Sequence, residues 1–170
     1  MAKYTTDQFF EFLEAGSKKF PQKFGGWYTY SHSFIPALRK SDAESACVLG
    51  TVLVEQGLQA MEYMPDESDS ISKLNKMFPD LCFVVPSQDM HPVMDNADRV
   101  NGLSFFSYAI RLNDGFKWSR EKIAEELKRL LQLNRERKEK ARQIIESVKQ
   151  NQTVPLPDII SKPVKQREKV

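Results

Sequence analysis

The chain has 170 residues, 41% hydrophobic and 11% aromatic, which suits one packed domain with an appendage and excludes a disordered chain. Charge is divided: residues 1–118 carry 11 Lys/Arg against 15 Asp/Glu, residues 119–150 carry 10 against 6, and residues 151–170 carry 4 against 2, so an acidic body precedes a basic C-terminal third. Cys47 and Cys82 sit in apolar runs without Cys-x-x-Cys or Cys/His spacing, and no stretch approaches the roughly 18 apolar residues of a membrane span, so zinc, disulfide and membrane classes are set aside.

In chain order, Thr5 and Gln8 have capping-box spacing, and Phe9, Phe10 and Leu13 predict an amphipathic helix ended by Gly16. Residues 20–34 alternate aromatic with small or polar side chains around Gly25-Gly26 and read as an aromatic loop or short strand. Ser41 and Glu44 form a second capping box that opens a helix to about Tyr63, placing Cys47 near the end of its second turn. A short helix carries Ile71, Leu74, Met77 and Phe78, and Leu81–Val85, between prolines, reads as a buried extended segment. After a loop over 86–96, a helix from Asn96 to Leu112 sets Val100, Leu103, Ser107 and Ile110 on one face. Asn113-Asp114-Gly115 stops it: Asn tolerates a left-handed conformation, Asp bonds backbone amides and Gly permits positive φ.

Trp118 precedes the N-cap Ser119 of a helix reaching about Gln150 and is placed to staple on Ile123. Ile123, Leu127, Leu130 and Leu131 give its first half an apolar stripe, residues 135–142 have almost none, and Ile144, Ile145 and Val148 restore it. The expected fold is mainly α: a compact helical domain over 1–133 with a short extended segment, a protruding charged helix over 134–150, and a flexible, Pro-containing basic tail over 151–170.

Three function classes follow. The favoured one is a non-enzymatic binding protein, with Trp27, Tyr28, Tyr30, His32 and Asp114 as ligand residues for a small, nucleotide-like molecule stacked on the aromatic loop. A host protein is the other partner considered, and Arg135, Arg137, Lys138, Arg142, Ile144, Ile145 and Val148 are the residues for partner contact or self-association. The first alternative is a papain-like thiol hydrolase, because Cys47, His91 and Asn113 or Asp114 occur in that chain order. Against it, a thiol two turns into a helix lies beyond the free amides that activate cysteines, and its Ala46 and Gly50 neighbours mark a packing position. The second alternative is nucleic-acid binding through residues 135–142, a patch diluted by Glu136 and Glu139. No cofactor or metal motif is present, and the N-terminal residues lack the apolar run of a signal peptide, so a cytoplasmic location is expected.

Trp27 after the first helix, Ala46-Cys47-Val48-Leu49-Gly50, Leu112-Asn113-Asp114 and the Trp118-Ser119 start of Ile123-Ala124-Glu125-Glu126-Leu127 together resemble a family of small bacterial and phage proteins without an assigned activity. That family carries a Gly-Trp near its start, a Cys-Ala-Leu-Gly-Ala-like segment and a Trp-Asn-Asp turn before a closing helix. The resemblance spans residues 5–131, with Leu112 where Trp is usual and Thr51 where Ala is usual. It implies a small helical domain of phage or bacterial origin, hence the host cytoplasm if phage-encoded, and no reaction.

Overall fold

The computed structural model describes residues 3–25, 28–30, 43–55 and 67–152, with side chains for 3–25, 46–53 and 71–150. The protein is mainly helical. Helix α1 (Thr6–Lys19) is followed by strands β1 (Tyr28–Tyr30) and β2 (Ala43–Ala46), helices α2 (Val48–Glu55) and α3 (Glu67–Met77), strand β3 (Val84–Val85), helix α4 (Asn96–Asn101), strand β4 (Leu103–Ser104), helix α5 (Phe105–Ile110) and helix α6 (Arg120–Gln152). The chain divides into two compact units, Met1–Leu133 and Asn134–Val170.

Helix α1 opens with the expected reciprocal cap: Gln8 N donates to Thr5 Oγ1 (3.2 Å) and Thr5 N to Gln8 Oε1 (2.8 Å). Gly16 does not end it. The helix continues to Lys19, and Gly16 is buried against α2, where a Cβ would stand 2.6 Å from Thr51 Cβ and 2.8 Å from Thr51 O. The small-residue helix contact therefore lies between Gly16 and Thr51. Phe9, two turns earlier, is wholly buried and meets Phe78 edge-on at 5.3 Å and Phe105 at 6.0 Å, so aromatic rings from α1, α5 and the residue after α3 fill the centre of the first unit.

The expected helix from Ser41 to Tyr63 is corrected. Residues 43–46 are a strand, antiparallel to β1 with Tyr28 opposite Ala46 and Thr29 opposite Ser45, and a bulge before Tyr30. Ala-Glu-Ser-Ala has helical propensity, but Ala46 is claimed by neighbours on both sides: it also bridges to Gln22, its N donates to Pro21 O (3.1 Å), and its O accepts from Lys23 N (2.9 Å). Tertiary pairing outweighs a propensity of a few tenths of a kcal/mol per residue, roughly. Helix α2 begins only at Val48. Ser41 and residues 56–63 lie outside the described residues.

A short helix, α3, forms where expected with Leu74 and Met77 buried, but it already begins at Glu67 and ends before Phe78. Of the segment Leu81–Val85, only Val84 and Val85 form a strand, paired with Ser104 and Leu103 on β4, while Leu81 closes a 3-10 turn begun at Pro79. The single helix expected over 96–112 is broken at Gly102, whose φ of 70° is left-handed and whose missing Cβ leaves 3.2 Å to Val84 Cγ1. Ser104 then caps α5 by accepting from Ser107 N (3.1 Å). Val100 consequently falls off the buried face and is 84% exposed.

The turn after α5 is a π-type turn, Arg111–Gly115, and the left-handed residue is Lys117 (φ 57°), not Asn113 or Gly115. Helix α6 starts at the expected cap, with Ile123 N donating to Ser119 O (2.9 Å). Trp118, Ile123, Leu127, Leu130 and Leu131 are buried in the core of the first unit. Among the described residues no helix is long and apolar enough to cross a membrane.

Candidate functional site

Cys47 occupies the N-cap position of α2, which corrects its expected place two turns inside a helix. Thr51 N donates to Cys47 O (3.2 Å), and Cys47 Sγ accepts from Gly50 N (3.2 Å), the role a Ser or Asp oxygen plays at most caps. A helix N-terminus ordinarily activates a thiol. Here burial dominates and pushes the Cys47 thiol up to about 11, against the lowering from the Gly50 and Leu49 amides; nearby Asp114 raises it further and Arg120 lowers it. Burial thus holds the thiol protonated at neutral pH while its sulfur caps the helix.

Asn113 and Asp114 are drawn to the same region, where they fasten a loop. Wholly buried Asn113 accepts from Gln22 Nε2 (2.9 Å) and donates through Nδ2 to Lys23 O (2.9 Å) and Asp114 Oδ1 (2.5 Å). Asp114 Oδ1 also accepts from Gly25 N (2.7 Å), where φ is 73°. Gln22 Nε2 donates to Trp118 O (2.7 Å), and its Oε1 accepts from Arg120 N (3.1 Å). Each polar atom in this set thus closes segment 22–25 onto the turn before α6.

Arg120 completes the lattice. Its buried guanidinium donates to the carbonyls of Phe20, Pro21 and Ala46 and reaches Ser17 O at 3.5 Å. These carbonyls include those left open at the C-terminus of α1, where the helix dipole favours a cation. Burial lowers the Arg120 pKa, with Cys47 and Glu121 acting in the opposite direction. Neither Gln22 nor Arg120 carried a sequence signal: one follows Phe-Pro, the other opens a helix already rich in charges.

His91 belongs to a second lattice. Its Nδ1 accepts from Val93 N (3.2 Å), and its ring stands edge-on to Trp118 at 4.7 Å. His91 N donates to Tyr108 Oη (2.8 Å), and this hydroxyl donates to Glu126 Oε1 (2.8 Å). Arg129 holds the same carboxylate with two contacts of 2.7 Å and reaches Asp89 O at 2.5 Å. Arg99 adds hydrogen bonds to Ser87 O (2.8 Å) and His91 O (2.9 Å). Loop 87–94 is therefore clamped from α4, α5 and α6. Burial, and the hydrogen bond to Glu126, drive the Tyr108 pKa well upward.

Of the expected ligand residues, Trp27 and His32 lie outside the described residues, and Tyr28 and Tyr30 are placed on β1 by their backbone alone. The root of β1 is joined through Ala46 to Gln22, hence to the Asn113 lattice. Lys117 Nζ lies 5.0 Å from the Phe24 ring centroid and Lys122 Nζ lies 3.7 Å from that of Trp118. Among the described residues no group of three or more His, Cys, Asp or Glu is placed to hold a metal ion.

In the second unit, Arg135, Lys138 and Arg142 are exposed and Arg137 is half-buried. Arg142 pairs with Glu139 (2.8 Å) and Glu146 (3.2 Å), spacings that support the helix itself. Ile144, Ile145 and Val148 are 63%, 54% and 48% exposed, and with Ala141 they recur at i, i+3, i+4 and i+7 on one helix face. Comparison with protein-family models, curated proteins and solved structures finds no match to this chain.

Proposed function

We propose that the chain is a non-enzymatic binding protein whose contact is made by the C-terminal helix, through self-association. One observation carries this reading: the apolar stripe Ala141, Ile144, Ile145 and Val148 is solvent-exposed on one face of a helix stabilised by its own ion pairs. An exposed stripe of this spacing is the form in which helices meet partners. By contrast, the four described polar side chains of the first unit singled out for chemistry are engaged in holding backbone. Cys47 caps a helix, Asn113 and Asp114 close the 22–25 loop, and His91 Nδ1 accepts from its own loop.

Light scattering of the full chain against a chain truncated after Leu133 tests the reading. The full chain is expected to scatter as an oligomer and the truncated one as a monomer; a monomer in both, at 100 µM or so, refutes it.

A second reading, capture of a nucleotide-like ligand, is favoured by the two ammonium groups of Lys117 and Lys122 held over the rings of Phe24 and Trp118. It predicts that a nucleoside triphosphate or diphosphate raises the melting temperature. No shift with any common nucleotide at millimolar concentration counts against it.

A further inference from the structure

We infer that the surface receiving the C-terminal stripe is the net-acidic segment 79–101, at its exposed Val84 and Val100, of a second copy of this chain, the two copies docking reciprocally. The inference rests on the self-association reading above and deepens it by naming the docking surface. Charge complementarity argues for it. Residues 134–150 hold six Lys/Arg against three Asp/Glu, a net of +3, so two such helices brought side by side repel along their length. Residues 79–101 hold four Asp and a single Arg, a net of −3, which becomes −2 when the bridging Arg111 at Asp95 and Asp98 is included.

That same segment carries the exposed apolar groups a stripe requires. Val84 is 64% and Val100 84% exposed, and Val84 lies against Gly102, two residues beyond Val100. Two exposed valines in an acidic frame match isoleucines and a valine in a basic frame. One such contact is small beside the roughly 1,200–2,000 Å² of a stable interface, and reciprocal docking doubles it while closing the assembly. A one-way arrangement would instead propagate into filaments.

A mixing experiment on the full chain distinguishes the outcomes. Val84→Lys/Val100→Lys breaks the patch and keeps the stripe; Ile144→Glu/Ile145→Glu breaks the stripe and keeps the patch. All four positions are exposed, so circular dichroism and melting should match wild type. Light scattering is expected to give a wild-type dimer and a monomer for each variant at the same concentration. An equimolar mixture should recover a heterodimer, weaker than wild type by at least tenfold in Kd because one of two contacts remains. If the patch variant dimerises like wild type while the stripe variant does not, the stripe meets another surface: the docking assignment is overturned and the self-association reading stands. A monomeric wild type overturns both.

Discussion

Gly16→Ala separates helix propensity from packing. In an ordinary helix interior this change stabilises by about 1 kcal/mol. Here the new Cβ would stand 2.6 Å from Thr51 Cβ, 2.8 Å from Thr51 O and 3.1 Å from Thr51 C, where carbon contacts settle near roughly 3.5–4 Å. Relief requires α1 and α2 to part by about 1 Å, because two of the three atoms are backbone and no rotamer moves them. Overpacking of this kind costs about 1–3 kcal/mol beyond the propensity gain it cancels. Phe9 and Leu13, buried on the same helix, would lose contact as α1 shifts. Urea denaturation followed by circular dichroism should show Gly16→Ala less stable by about 1–3 kcal/mol, a fall of roughly 2–4 °C per kcal/mol on heating. Thr51→Ala should give no rescue, since its Cβ and carbonyl remain. A Gly16→Ala protein as stable as wild type would refute the close α1–α2 contact.

Other substitutions test the two polar lattices. The Cys47 thiol is raised in the folded state to about 11, against an unfolded value near 8.5, so its contribution is complete below that unfolded value and is lost as pH rises toward 11. Stability should fall by about 2 kcal/mol between pH 8 and pH 10.5, beyond the loss shown by Cys47→Ser. A matching loss in Cys47→Ser would contradict the burial. Alkylation at neutral pH should modify exposed Cys82 well before buried Cys47; the reverse order would revive the thiol-hydrolase alternative. Tyr108→Phe removes the hydroxyl between His91 N and Glu126 and should cost about 1–3 kcal/mol, a change under 0.5 arguing that the clamp carries little. Asn113→Asp removes the donor to Lys23 O and sets a second carboxylate beside Asp114, so it should cost at least about 2 kcal/mol at pH 7 and less at pH 3. An equal cost at both pH values would place the effect elsewhere.

Features written locally were legible in the sequence: the Thr5–Gln8 cap, the Ser119 helix start, and the two apolar stripes of α6 all follow from side chains within two turns of each other. What depended on distant partners was not. Ala43–Ala46 is a strand because Tyr28 and Gln22 flank Ala46, and no window around residue 46 contains that information. The strand at Ala43–Ala46 moves Cys47 from the expected helix interior to a helix cap, and with it the reason its thiol is held protonated: burial, not distance from the free amides. Gly16 looked like a helix stop because its true partner, Thr51, is 35 positions away. The signal at Gly102 was available, since glycine inside a helical pattern marks a break as readily as a tolerated residue. Asn113 and Asp114 stood out by type, yet their partners Gln22 and Gly25 lie about ninety residues upstream, as their hydrogen-bond separations of 91 and 89 positions show.

The most direct test of the proposed binding role is the concentration dependence of mass for the full chain and for Ile144→Glu/Ile145→Glu. Truncation after Leu133 also removes residues 151–170, whereas this pair changes the stripe alone. Wild type should pass from monomer to dimer as concentration rises, with the variant remaining a monomer throughout. Identical curves for the two proteins would contradict a role for the C-terminal helix.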